Sequence, residues 1–451
     1  MKTDRPPPIA ALPTPGYPRV PDAVLGNGLR VLTVEEFALP KVSLCLAWPT
    51  GRTSDSTGNL ALTSLAVELL EEGTETRNSR QIADLMDQLA IHYGTQVRME
   101  QSRLTLTVLA RYLEPALELL ADLVLRPAFP EEELEKARSR WRSHLLSQRS
   151  QPVFLARERS HAALYRGHPY SRVSFPVSHV EDADRDALLG VHGRLLAPRG
   201  ALLAFSGAVT PDRAARLAER YLGRWTGEAP PQDRVPLPPA PESRRVMLVH
   251  RPHSVQARIV VAGRGLRRGH RDGTPLFLAN QVLGGSASSR LFLNLREDKG
   301  YTYGAYSVMK WYRRDGVILM GADVRSDVAA ESLQESLKEM ERLRREPPGT
   351  RELNRCRAEL SGRFIRVLET SDSVADLEVS RRLDGLPEDH YRNYVQRLQQ
   401  VTPETIRETA RTYLDSGRTV ITVVADRSQV EKDLARFGPV SVYDTDGNRL
   451  E

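Results

Sequence analysis

The chain has 451 residues, 40% of them apolar and 27% charged; at roughly 150 residues per domain this allows two or three domains, and the composition excludes a disordered or collagen-like chain. Its 64 basic and 58 acidic side chains leave a net charge of +6, but arginines alternate with carboxylates along amphipathic segments, which argues against a nucleic-acid surface. Two cysteines, Cys45 and Cys356, supply neither a disulfide framework nor a cysteine-rich zinc site, and no run approaches the ~18 apolar residues of a membrane span.

Residues 1–22 hold seven prolines and lack the apolar stretch of a secretory signal, so they read as a flexible leader. As written, this puts the protein in the cytoplasm; a start further upstream would make the periplasm possible. Strands are expected at LRVLTVE, KVSLCLAW and SRLTLTVLAR, beginning at Leu29, Lys41 and Ser102. An amphipathic helix with Leu117, Leu120 and Val124 on one face then meets a proline turn, and RPAFPEEELEKARSR, from Arg126, opens the next helix. LLAPRGALLAFSGAV, from Leu195, reads as a helix end, a turn and a strand. The stretch from Arg224 to Arg245 is rich in proline and charge and reads as a semi-rigid linker.

The same order then recurs. VMLVH, ARIVVAG and GVILMGADV supply strands, and Leu333, Leu337, Met340 and Leu343 mark an amphipathic helix. REPPGTRELNRCRAE, from Arg345, repeats the proline turn and helix, placing Glu352 219 positions after Glu133, and TYLDSGRTVITVVAD, from Thr412, repeats the final strand. The expected organisation is a leader at 1–22, a domain at 23–224, a linker at 225–245 and a related domain at 246–451. Strands grouped with helices between them predict α+β units, each a largely antiparallel sheet with helices packed on it. No GxGxxG, P-loop or GxSxG pattern competes.

The densest motif is GGSASSRLFLNLREDKGYTYGAYS, from Gly284 to Ser307. It predicts a Gly-Gly turn, a helix with Leu291, Leu295 and Phe292 inward, a stop at Gly300 and an aromatic strand. This segment resembles the C-terminal-half signature of the pitrilysin/insulinase metallopeptidases, the inverzincins, a family that includes mitochondrial processing peptidase and respiratory-complex core proteins. EEGTETRNSRQIADLMDQLAIHYG from Glu71, GHPYSR at Gly167 and VTPETIRETARTYL at Val401 extend the resemblance over both halves. It implies two related domains that face each other and pair with a second two-domain chain around a peptide chamber.

The resemblance also implies a zinc motif, H-x-x-E-H, just before the Gly73-Thr74 turn, with two histidines on one helical face and a glutamate to activate water. Here that stretch reads SLAVE: Ser64 and Glu68 stand at the histidine positions and Val67 at the base. The third ligand, a glutamate about 75 residues on, falls at Ser143 and His144. Valine takes no proton and one carboxylate does not hold zinc alone. Glu68 with His144 is either a vestigial two-ligand site or a capped polar pair. No metal is therefore expected in this chain.

In active relatives an arginine and a tyrosine seven apart in the C-terminal half reach the zinc site, and Arg296 and Tyr303 match them. A tyrosine hydroxyl donates to the oxyanion of a tetrahedral intermediate, and an arginine fork holds a carbonyl or carboxylate. Gly284 and Gly285 either allow close approach of a bound peptide or form a turn that needs positive φ. Strand alternation would put Tyr301 on the same face as Tyr303, making it a further substrate-binding candidate. The expected function is a zinc-less, non-catalytic subunit of a heterodimeric endopeptidase, supplying Arg296 and Tyr303 to a site whose zinc a homologous partner holds. A purely structural or interaction protein of the same fold is the alternative, and an independent enzyme with a rearranged site a third reading.

Overall fold

The computed structural model describes residues 16–228 and 235–450. It contains two six-stranded sheets. The first comprises β1 (Asp22–Val24), β2 (Arg30–Glu35), β3 (Lys41–Trp48), β4 (His92–Val97), β5 (Ser102–Leu109) and β6 (Leu202–Gly207), in the order β1-β2-β6-β3-β5-β4. The second comprises β7 (Arg245–His250), β8 (Gln256–Arg264), β9 (Thr302–Trp311), β10 (Gly316–Arg325), β11 (Val420–Ala425) and β12 (Val440–Tyr443), in the order β12-β7-β11-β8-β10-β9. Pairing is antiparallel except for β2–β6, β7–β11 and β7–β12.

Burial follows from composition. Residues 42, 44 and 46 of β3 turn an apolar face to the first core, whereas every residue of β6 (LLAFSG) and β11 (VITVVA) is buried. Such continuous apolar runs belong to strands covered on both sides. One face of the first sheet is covered by its own helices, Leu62–Glu68, Leu113–Leu125 and Glu131–Arg149. The other face is covered by the opposite half.

This exchange interlocks the molecule. The helix Pro152–Leu164 packs Phe154, Leu155 and Ala156 beside Val249, Val260 and Val424 of the second sheet. The helix Ser371–Leu383 packs Val374, Ala375 and Val379 beside Leu32, Ala47 and Ala204 of the first. The two helices begin 219 positions apart, the spacing of the internal repeat. Polar contacts fasten each seam. Ser206 Oγ donates to Asp372 at 2.6 Å, and the nearly buried Arg103 donates to Asp376 and Ser380, each at 2.8 Å.

Both proline-rich stretches make contacts where the structure describes them. Tyr17 stacks with Tyr391 and donates to Glu378 at 2.7 Å, and Thr33 N donates to Pro21 O at 3.2 Å. The segment from Tyr17 onward is therefore docked on the Ser371–Leu383 helix by aromatic and charged contacts instead of running free, while 1–15 lie outside the described residues. The Pro-rich linker is likewise tied at its start, where buried Trp225 meets Trp48 edge-on with ring centres 6.3 Å apart; 229–234 lie outside the described residues. Among the described residues no helix is long and apolar enough to cross a membrane.

Candidate functional site

The C-terminal-half motif starts at the end of the helix Gly273–Gly284, which lies against β9. A Cβ on Gly284 would stand 2.3 Å from Ser307 N, and one on Gly285 2.2 Å from Gln281 Oε1. Neither glycine has a positive φ; Gly285 sits at −82°. The positive-φ reading therefore fails at both positions. Gly284 lets helix and strand close on each other, and the seam is fixed by Ser307 Oγ donating to Asn280 O at 3.0 Å and Asn280 Nδ2 to Ser307 O at 3.3 Å.

The next segment begins as a short α-turn, Arg290–Phe292, and continues as a π-helix, Leu293–Asp298. Leu291 and Leu295 are buried, as the spacing predicts, while Phe292 is only half-buried. Buried Arg290 anchors the turn through a two-pronged contact with Glu352 at 3.0 and 2.9 Å. Gly300, at φ +63°, ends the helix, and Tyr301 N donates back to Leu295 O at 2.8 Å. The Arg296 guanidinium rests 4.8 Å above the Phe292 ring, with the adjacent Glu297 3.6 Å away. It remains half-exposed.

Tyr303 owes its orientation to a bulge. The register of β9 on β10 passes from Ala305 opposite Ala322 to Thr302 opposite Val324, so Tyr303 and Gly304 share Asp323. Ala305 and Ser307 are buried, and an unbroken pleat would turn Tyr303 inward with them. The extra residue reverses the parity instead. Thr302 Oγ1 stitches the bulge by donating to Asp323 O at 2.6 Å while accepting from Gly304 N at 3.1 Å. Tyr303 emerges 93% exposed, its hydroxyl without a hydrogen-bond partner among the described residues. Tyr301, by contrast, packs on the core of the second half. The expectation that alternation puts both tyrosines on one face is overturned, because the pleat does not run unbroken through this turn.

Gly284, Gly285, Phe292, Tyr303 and Tyr306 line one open concavity of about 630 Å³. Arg296 stacks on Phe292, one of its lining residues. No hydrogen bond, ion pair or ring contact links these residues to Ser64, Val67 or Glu68 among the described residues.

The SLAVE stretch is packed and paired within the chain. Ser64 and Val67 are buried in the helix Leu62–Glu68, and Glu68 is claimed by the helix Glu131–Arg149: Trp141 Nε1 donates to it at 2.6 Å and Arg140 at 3.2 Å. Trp141 packs edge-on to His144 and against Phe175. Exposed His144 bonds to Gln148 at 2.8 Å, and Ser143 to its own helix at Ser139 O. Glu68 and His144 form no direct pair, so the capped-pair reading is corrected to a tryptophan wedged between them. Burial and the neighbouring Glu72 and Glu68 push the Glu71 carboxyl up to about 7, Arg140 offsetting part of this. The residues present do not fit zinc, and among the described residues no group of three His, Cys, Asp or Glu side chains is arranged to hold a metal ion.

Sequence reasoning passed over Arg140 and Trp141, because the count along that helix looked only for a ligand. It passed over Thr302 because a bulge has no signature of its own in the letters.

A family model described as "Insulinase (Peptidase family M16)" matches residues 30–175, and one described as "Peptidase M16 inactive domain" matches 182–360. The chain is 24% identical over 357 residues to a Bacillus subtilis protein named "Uncharacterized zinc protease YmxG", covering 77% of this chain and 84% of that one. A shorter match, 29% over 127 residues, is to the Helicobacter pylori "Non-peptidase homolog YmxG" and covers 28% of this chain and 29% of that one. The fold is similar to a crystal structure described as a peptidase M16 inactive domain from Pseudomonas fluorescens. That match has a TM-score of 0.84 at 23% identity and covers 90% of this chain and 98% of the other.

Proposed function

The chain belongs to the insulinase family, peptidase family M16, and we propose that within it this protein is the zinc-less subunit of a two-chain endopeptidase. A homologous partner carries H-x-x-E-H and the zinc, and this chain lends Arg296 and Tyr303 to that site. The substrate is an unfolded or short peptide, which adds as a strand to a sheet edge of the partner. At such a site the Tyr303 hydroxyl donates to the oxygen that gains charge as the scissile carbonyl is attacked, and the Arg296 fork holds a carbonyl or carboxylate of the substrate. Zinc held by the partner supplies Lewis-acid activation of water when bound.

The observation that carries this reading is the bulge at Tyr303. It turns an aromatic side chain into solvent, beside a concavity, where no described residue gives the hydroxyl a partner. Exposing a tyrosine this way contributes nothing to folding, whereas presenting it to another chain uses both ring and hydroxyl. The engagement of Glu68 by Trp141 and Arg140 supports placing the zinc in the partner.

A structural or interaction role accommodates the same engagement of Glu68 and is the second reading. It gives Tyr303 and Arg296 no task. The test is hydrolysis of a quenched fluorescent peptide by the H-x-x-E-H chain, alone and after adding this protein. A shared site requires the rate to rise on mixing; association of the two chains with no change in rate would leave the structural reading in its place.

A further inference from the structure

At the seam between the halves lie three cations that, among the described residues, no carboxylate meets in a hydrogen bond or ion pair, although Asp55 faces Arg52 and Glu158 faces Arg157 from further off. Lys310 lies on β9, Arg157 on the helix Pro152–Leu164, and Arg52 opens the turn that follows β3. A hydrogen-bonded pair sets their placement. His161 Nδ1 donates to Arg157 O at 2.9 Å, which leaves His161 Nε2 to accept from Tyr312 OH at 3.2 Å. Arg157 stands one helical turn before His161, and Lys310 stands near the end of β9, two residues before Tyr312, which follows the strand. Arg52 is held beside them by its own bond to Val173 O at 3.1 Å and by Arg313, which donates to Pro49 O at 3.1 Å.

All three side chains are half-buried. The Arg157 guanidinium and the Lys310 ammonium make no hydrogen bond or ion pair among the described residues, and the Nε atoms of Arg52 and Arg157 are buried without an acceptor. The nearby carboxylates bond to other groups, Asp55 through Oδ1 alone, its Oδ2 being left without a partner among the described residues. Glu158 is held by Arg149 at 2.5 and 3.0 Å, Asp55 accepts from Thr63, and Glu100 accepts from Tyr170 and Arg313. Burial, together with the charges of Arg157 and Arg52, pulls the Lys310 ammonium below its ordinary range. His161, pushed down to about 4 mainly by burial, adds no charge at neutral pH.

Cations taken out of water without a counter-charge are costly and call for an anion. We propose that Arg52, Arg157 and Lys310 form a binding site for a phosphate-type oxyanion at the seam of the two halves. Two guanidinium forks and one ammonium present more donors than a single carboxylate accepts, and they suit a multiply charged tetrahedral group. The group is carried either by free inorganic phosphate or by a phosphorylated peptide side chain. The site stands apart from the shared-zinc reading and survives its failure.

The test uses the full chain, titrated calorimetrically with inorganic phosphate at constant ionic strength set by sodium chloride, then with a phosphoserine peptide and its unphosphorylated form. Wild type binds phosphate; Lys310→Met and Arg157→Gln bind it at least tenfold more weakly, yet melt in chloride no lower than wild type, because repulsion is relieved. Arg166→Gln, in a separate arginine-lined concavity with Arg159 and Arg244, leaves binding unchanged. Tighter binding of the phosphopeptide than of free phosphate assigns the phosphoryl group to a peptide, and equal binding assigns it to the free anion. No response to either, equal responses in wild type, Lys310→Met and Arg157→Gln, or loss in Arg166→Gln instead, would overturn the site.

Discussion

Replacing Gly284 by alanine separates two uses of the same glycine. The new Cβ would sit 2.3 Å from Ser307 N and 2.7 Å from both Ser307 Oγ and the Tyr306 carbonyl carbon. Most of these atoms are backbone, so helix and strand must part by about 1 Å to reach ordinary van der Waals separation. That movement breaks the two bonds between Asn280 and Ser307, at about 1 kcal/mol each, and adds overpacking of about 1–3 kcal/mol. The expected loss is about 3–5 kcal/mol, read as a lower urea midpoint by circular dichroism. The fluorescence of Trp311, which packs at the start of the same helix, should follow the same transition. If Gly284→Ala unfolds at the wild-type midpoint but no longer binds peptide alongside the partner, the glycine serves a ligand and the packing argument is wrong.

Other perturbations have equally definite outcomes. Because the Glu71 carboxyl is pushed up to about 7 in the folded chain, the folded state holds a proton that the unfolded chain releases near 4.5; stability therefore falls as pH rises between these values. Glu71→Gln should match wild type at pH 5 and exceed it at pH 8 by about 1 kcal/mol after allowance for screening, so equal melting at both pH values would contradict the crowding of Glu68, Glu71 and Glu72. Trp141→Phe removes the donor at 2.6 Å from Glu68 and should cost about 1–2 kcal/mol in thermal unfolding, without creating zinc-dependent stabilisation. Arg103→Ala cuts the contacts to Asp376 and Ser380 that tie the first sheet to the exchanged helix. It should cost about 2–3 kcal/mol and speed limited proteolysis around residues 371–383, where an unchanged cleavage rate would show that the apolar contacts alone hold the seam.

The internal repeat made the duplicated α+β architecture legible, since the spacing of Glu133 and Glu352 recurs in the three-dimensional structure between the helices that start at Pro152 and Ser371. What the letters did not disclose is that each of these helices crosses to the opposite sheet. Phe154, Leu155, Ala156, Ser160 and His161 are buried in the first of them, but nothing in the letters names the surface that buries them, which is chosen only when both halves fold. The same limit applies at the site. Arg296 and Tyr303 could be picked out from the motif, yet strand alternation put Tyr301 beside Tyr303, and only the bulge opposite Asp323 separates them. Gly284 was visible as a position needing no side chain, but the cause, Ser307 N, lies on another element. At the SLAVE stretch a tally of ligands could not see that Trp141 reaches Glu68 and packs on His144.

The shared site itself is tested most directly by one comparison. Peptide hydrolysis is measured for the H-x-x-E-H partner mixed with this chain as wild type or as Tyr303→Phe, with association of each pair followed in parallel by analytical ultracentrifugation. Tyr303 is 93% exposed and makes no hydrogen bond among the described residues, so the phenylalanine variant should fold and associate as wild type does. A hydroxyl that stabilises the developing oxyanion then predicts a kcat lowered about 100-fold or more, with KM little changed. Equal kcat for the two mixtures would mean that this chain brings no chemistry to the partner's site.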